Sequence, residues 1–232
     1  MEKLSAETLN NRYGVDEDQV VIVKEQELEE GNGEDIRLYE ELMSFADRDL
    51  SDPQEYEAFC DVMDVRSMAD LFAIRIYIGD EDFRSDRNAV LWCTRDKSFN
   101  EGRWQYILYD TEYSSGLYDG AHQAAWKDHL SLMLERHPLF ASAMRNDEFY
   151  GMFLEALEEI GSDDYAFERV EDALEKYDAV WRPLMDDHYK RFGDDSALWD
   201  LDRECFVCFF QNRYDPIVRY VTDYGKTTEK ER

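Results

Sequence analysis

The stretch RIYIGDEDFRSDRNAVLW, residues 75–92, holds the turning point of the chain. An apolar run breaks at Gly79 into Asp80, Glu81, Asp82, Asp86 and Asn88, then returns to the strand-like AVLW. Upstream, Met68, Leu71, Phe72 and Ile76 recur at helical spacing, which predicts a helix over about 67–78 with Gly79 as its C-terminal stop. Downstream, AVLWCTR and RWQYILYD are β-branched and aromatic runs joined by a polar turn containing Asn100 and Gly102, the pattern of a β-hairpin. Antiparallel strands set the start of the first beside the end of the second. The turn at 80–88 therefore comes near Asp110, and a second carboxylate step, WQYILYDTEYSSGLY at 104–118, becomes its neighbour.

Working outward, residues 4–13 read as a short helix stopped by Gly14, and QVVIVKE (19–25) reads as a strand. Ile36, Tyr39, Leu42, Met43 and Phe45 recur at helical spacing, and a further helix restarts at Asp52 as N-cap with Pro53 in its first turn. From His122 onward four segments carry apolar residues at i, i+3, i+4 and i+7, with breaks at GSDD and GDDS, and the tail KTTEKER is expected to fray. The expected class is α+β, mainly α, in one domain, since 232 residues with 44% apolar and 14% aromatic content can bury a sizeable core.

The chain has 26 Lys and Arg against 55 Asp and Glu, a formal net charge of −29. That field repels nucleic acid and anionic membrane and attracts divalent cations, so an anionic nucleotide would arrive with its charge partly neutralised by metal. For most of the acids the reading is a solvated surface. No run of apolar residues is long enough to span a bilayer, and the start MEKLSAETLNNRYG lacks a basic-then-apolar signal region, so a cytoplasmic location is the expectation for the chain as given. Cys205 and Cys208 form a CxxC inside the apolar ECFVCFF, with no second pair to complete a zinc site, and read as packing. His122, His129, His137 and His188 lie on helix-like segments without a paired nucleophile and read as core or surface residues. Tyr106, Tyr109 and Tyr113 read as the packing face of the hairpin rather than a platform for a base.

Phosphoryl transfer needs a carboxylate to orient the attacking group, oxygen ligands to hold metal on the phosphates, and a cation on the phosphate oxygens. Asp82, Asn88 and Asp110 offer the first two, in the order that protein kinases use them, and solvated turns remain the other reading of an acidic trio.

These two steps, YIGDEDFRSDRNAVLW and RWQYILYDTEYSSGLY, resemble those of the spore coat protein H (CotH) kinase family. MDVRSMADLFAIRIYIG is similar to the family's helix before the site, NRYGVDEDQVVIVK to an upstream segment, and FFQNRYDPIVRYVTDY to its terminal helix. The resemblance implies an atypical protein-kinase-like C-terminal lobe spanning 1–232, with 1–50 as remnant of an upstream lobe and linker helix and 51–232 as the helical lobe carrying the site. It implies transfer of phosphate from ATP with Mg²⁺ or Mn²⁺ to a protein hydroxyl, the acceptor a coat or surface protein, and a spore coat or cell-surface location if the chain was cut from a longer precursor. Carried across, Asp82 is the catalytic-loop Asp, and Asn88 and Asp110 are metal ligands. Lys24, the nearest strand-borne lysine, is the candidate for the nucleotide phosphates, or else an exposed strand-end lysine. The chain departs from the family at Asp80, where Asn is common, and at Glu112, where a second Asp is common; both are expected to remain oxygen ligands. With little chain to cover the phosphates, a non-catalytic scaffold or coat-associated binding module is the alternative.

Overall fold

Val20, Val21, Ile22 and Val23 are all buried, on both faces of β1 (Val20–Lys24), so the sheet is covered on both sides there, and pairing with a strand on each edge makes β1 an inner strand. A computed structural model describes residues 4–117, 121–193, 195 and 197–231; the side chain of His122 and part of the GDDS break lie outside that description. The sheet is antiparallel throughout in the order β2-β1-β3-β4, with β2 (Glu27–Glu30), β3 (Val90–Thr94) and β4 (Gln105–Ile107). The expected hairpin is β3–β4, with Val90 opposite Ile107. Lys24 stands opposite Val90 on the other side of β3, so one row of the sheet runs Lys24, Val90, Ile107.

One face of β1 and β3 carries Val21, Val23, Leu91 and Cys93 into the main core; the other carries Val20, Ile22, Val90 and Trp92 into a smaller cluster with Leu9 and Val15. Helix α1 (Ala6–Tyr13) covers that second face, capped by Ser5 and ended by Gly14 in the left-handed region at φ 70°, and Tyr13 stacks on Trp92 at 5.3 Å. Burial on both sides explains why VVIV is a continuous apolar run instead of an alternation. β2, absent from the sequence reading, is ELEE: its exposed glutamates line a sheet edge, and the left-handed pair Glu25 and Gln26 (φ 54° and 69°) makes the tight turn that returns it to β1.

Helix α2 (Ile36–Met43) leads to α3 (Pro53–Val62), whose N-cap Asp52 accepts from the amides of Gln54 and Glu55. Helix α4 (Val65–Ile78) is the axis of the fold. Met68, Ala69, Leu71, Phe72, Ala73, Ile76, Tyr77 and Ile78 are buried around its whole circumference, as a helix apolar on all sides should be. The short α5 (Ala121–Ala124), α6 (His129–Arg136), α7 (Pro138–Ala143) and α8 (Asp147–Glu159) follow, with Phe72 stacked on Phe140 at 4.0 Å.

The long α9 (Phe167–Phe192) and α10 (Ala197–Glu231) complete the chain, and α9 leaves Tyr177, Val180, Trp181 and Leu184 exposed. Contrary to the expected fraying, helix continues through the tail to Glu231, supported by the Lys226–Asp223 ion pair and by the Thr227 hydroxyl donating to the Asp223 carbonyl. Cys205 and Cys208 are half-buried on α10 and free of disulfides. No helix among the described residues is long and apolar enough to cross a membrane. The chain is thus a mainly helical α+β fold with a small antiparallel sheet.

Candidate functional site

Gly79 ends α4 with φ 68° and ψ 47°, and the amide of Asp80 returns to the Arg75 carbonyl at 3.0 Å. This left-handed turn throws the chain off the helix and inward. Asp80 is fully buried; its Oδ1 accepts from the amides of Asp82 (3.0 Å) and Phe83 (3.1 Å), a side-chain-closed turn that shapes the loop. Phe83 is buried too, stacked on His137 at 4.5 Å and edge-on to Phe72 at 5.5 Å. Arg84 and Arg87 then exchange backbone hydrogen bonds at 2.9 and 3.0 Å, and Asn88 re-enters the sheet through a left-handed conformation at φ 61°, which asparagine tolerates.

The two acidic steps meet on one guanidinium. Arg75, fully buried on α4, donates through Nη1 to the Asp80 carboxylate and to the Asp110 carbonyl (2.9 Å), and through Nη2 to the carbonyls of Tyr109 and Asn88 (3.5 Å). Its carbon centre lies 4.5 Å from the Phe83 ring centroid. Burial pushes the Asp80 carboxyl up from the ordinary carboxylate range and the Arg75 guanidinium down, and their mutual attraction opposes both. An arginine does not surrender its proton inside a protein, so the pair stands ionised. Asp80, expected as an oxygen ligand, is here buried with both oxygens accepting hydrogen bonds that hold the loop.

Of the residues singled out from sequence, Asp82 and Asn88 are brought into direct contact. The Asn88 side-chain amide donates to Asp82 Oδ2 at 3.2 Å, leaving its own Oδ1 as an acceptor, while Arg87 pairs with Asp82 Oδ1 at 2.7 Å. Asp82 is about a third exposed and Arg87 mostly exposed, so this is a solvent-facing ion pair of small energy. Asp110 is joined to Asn88 through Arg75 by backbone alone; none of the described residues hydrogen-bonds its carboxylate. Lys24 reaches the same corner: its Nζ donates to the Tyr109 hydroxyl at 3.4 Å and sits 4.8 Å from that ring's centroid. Glu25 accepts from the Asn88 amide at 3.2 Å, and the Gln26 side chain donates to Ser85 at 3.2 Å, so the β1–β2 turn lies against the acidic loop. Glu112 is exposed and lines a cavity of about 360 Å³ beside Asp110, with Thr111, Ser114 and Ser115, floored by Ile78, Phe206 and Phe210.

Among the described residues no group of three or more His, Cys, Asp or Glu is gathered as for a metal ion. The trio's donors are two carboxylates and an amide oxygen, all hard oxygens, the chemistry that suits Mg²⁺ when phosphate and water complete its shell. Asn88 Oδ1 and the Asp110 carboxylate, with no hydrogen-bond donor among the described residues, fit that role.

Sequence reasoning missed the residues that hold the loop. His137, buried, donates from Nε2 to the Phe83 carbonyl at 3.3 Å, and burial pushes its pKa down to about 4. Arg136 donates to the Glu81 carbonyl at 2.6 Å, and Lys127 pairs with the Glu81 carboxylate at 2.5 Å. The one sequence signal for Arg75 was a lone arginine inside the otherwise apolar AIRIYI.

No curated protein matches the chain. Residues 7–226 match the CotH family, described as CotH kinase protein, and with almost the whole length covered this chain belongs to the CotH kinase family.

Proposed function

We propose that this protein is a metal-dependent, kinase-like phosphotransferase that passes the terminal phosphate of ATP to a protein hydroxyl. The observation that supports the reading is the shared guanidinium: Arg75 binds the backbone of Asn88, Tyr109 and Asp110 together with the Asp80 carboxylate, so the backbones of the two acidic steps are held against one side chain. In this reading Asn88 and Asp110 hold Mg²⁺ or Mn²⁺, which when bound draws charge from the phosphate oxygens. Asp82 orients the acceptor hydroxyl and takes its proton as the oxygen attacks phosphorus and the ADP oxygen leaves. The hydrogen bond from Asn88 keeps Asp82 aimed while it waits. Lys24, released from Tyr109, meets the phosphates with its ammonium. Family membership supports a kinase-like activity.

One observation favours a non-catalytic binding module instead. Both oxygens of Asp82 are engaged, by Arg87 and by Asn88, so an acceptor hydroxyl must displace a partner to reach it. Thermal unfolding with Mg-ATP and with Mn-ATP tests the nucleotide site. Ligand at about 100 times its dissociation constant stabilises a fold by about 2.7 kcal/mol. The expected result is a clear upward shift that vanishes in Asp110→Ala; no shift with either metal overturns the proposal. Should ATP bind, release of ADP in the presence of an acceptor polypeptide, lost in Asp82→Asn, separates transfer from binding alone.

A further inference from the structure

Arg213, on α10, is fully buried, and its five hydrogen bonds go to backbone carbonyls and an imidazole rather than to a carboxylate. Nε donates to the Tyr77 carbonyl (2.8 Å), Nη1 to those of Ala125 (2.9 Å) and Lys127 (3.0 Å), and Nη2 to the Ile76 carbonyl (2.5 Å) and His129 Nδ1 (3.0 Å). All five N–H bonds of the guanidinium are thereby used. Ile76 and Tyr77 belong to the last turn of α4, where unpaired carbonyls concentrate the negative end of the helix dipole and welcome a cation. The fork thus closes the end of α4 immediately before Gly79 turns the chain into the acidic loop.

The contact with His129 extends this hold. An imidazole nitrogen that accepts from a guanidinium carries no proton of its own, so the neutral ring of His129 bears its hydrogen on Nε2. That nitrogen faces Glu81 Oε1 at 3.2 Å, and the hydrogen bond is donated to the carboxylate lying between Asp80 and Asp82. The Lys127 carbonyl, 3.1 Å from Nδ1, is satisfied instead by Arg213. His129 itself is buried and packs within 3.1 Å of where a side chain on Gly79 would begin.

We propose that Arg213 is a positioning residue of the site, acting through His129 and Glu81 to set where the loop presents Asp82. This rests on the phosphotransferase reading for its consequence in turnover, but not for the loop geometry. Arg213 is 131 residues from Asp82, so the terminal helix becomes part of the site's framework rather than a packing element alone. A lysine in its place keeps the charge and loses the fork.

The test combines hydrogen exchange of the amides at 80–83 with turnover of Mg-ATP using water as acceptor. Arg213→Lys and His129→Leu should each speed exchange at 80–83 about tenfold relative to α8, an opening of the loop without loss of the fold. Both should lower kcat with KM for Mg-ATP little changed, the sign of a misplaced reacting group. His129→Gln, which can present an N–H to Glu81, should restore both readouts. The proposal is overturned if exchange at 80–83 matches the wild type, if it rises equally throughout α4 and α8, or if His129→Gln behaves as His129→Leu. Absence of any Mg-ATP binding by the wild-type chain would sink the phosphotransferase reading, with the exchange data still deciding whether Arg213 places the loop.

Discussion

Acid should unfasten the loop that carries Asp82, and His137 sets the size of the effect. Its ring is buried between Phe83 and Phe72, with Nε2 donating to the Phe83 carbonyl, and burial lowers its pKa from 6.5 to about 4. Because the folded pKa is depressed, the unfolded chain binds more protons between these values. The contribution is fully present above 6.5 and is lost as pH falls towards 4. At about 1.4 kcal/mol per pH unit the displacement amounts to about 3 kcal/mol, a large part of the roughly 5–15 kcal/mol that holds a domain folded. His129 shifts in the same direction for the same reason, burial, so the wild-type profile contains both. The many carboxylates also titrate on acidification, which makes the total profile uninformative by itself. The measurement is therefore a difference: urea unfolding free energies of wild type and His137→Gln, from neutral pH down to about pH 4. Glutamine keeps a donor for the Phe83 carbonyl, loses the ring stacking as a pH-independent offset, and does not titrate. The wild type's advantage should shrink by about 3 kcal/mol across the window. A pH-independent difference would refute the claim that a buried neutral imidazole holds the loop.

Further outcomes follow from the loop's other fastenings. Arg75→Met leaves Asp80 buried without its cation and should destabilise the fold by about 3–5 kcal/mol in urea unfolding; adding Asp80→Leu should recover part of the loss, and a purely additive double variant would contradict the pairing. Gly79→Ala places a side chain at φ 68°, with Cβ 3.1 Å from His129 and 3.3 Å from Phe209, and should cost more than about 1 kcal/mol; an unchanged melting temperature would count against the turn geometry.

Much of this site can be read from residue types, because its turns depend on local chemistry. Gly79 ends α4 because it takes a left-handed conformation, Asp52 and Pro53 start α3, and the β3–β4 hairpin brings Asp110 back towards the loop. β2 could not be read this way: ELEE has no apolar alternation, and only pairing with β1 makes it a strand. The part Asp80 plays in holding the loop was hidden for a related reason. The resemblance implies an oxygen ligand at this position, and nothing local reveals that Arg75 lies beneath it.

The sequence by itself determined the class of the fold, the stops of α1 and α4, the start of α3, the hairpin and the family, since periodicity, capping and turn preference act over a few residues. Only the tertiary structure decided which charged groups turn inward. Arg75, His129 and Arg213 lie on helices and His137 at the junction of α6 and α7, and each is buried with polar atoms on the acidic loop or on the end of α4, partnerships that residue type alone does not give. A buried charge is tolerable only where distant backbone and side chains converge to satisfy it. That convergence spans residues 75 to 213, and no window of sequence contains it.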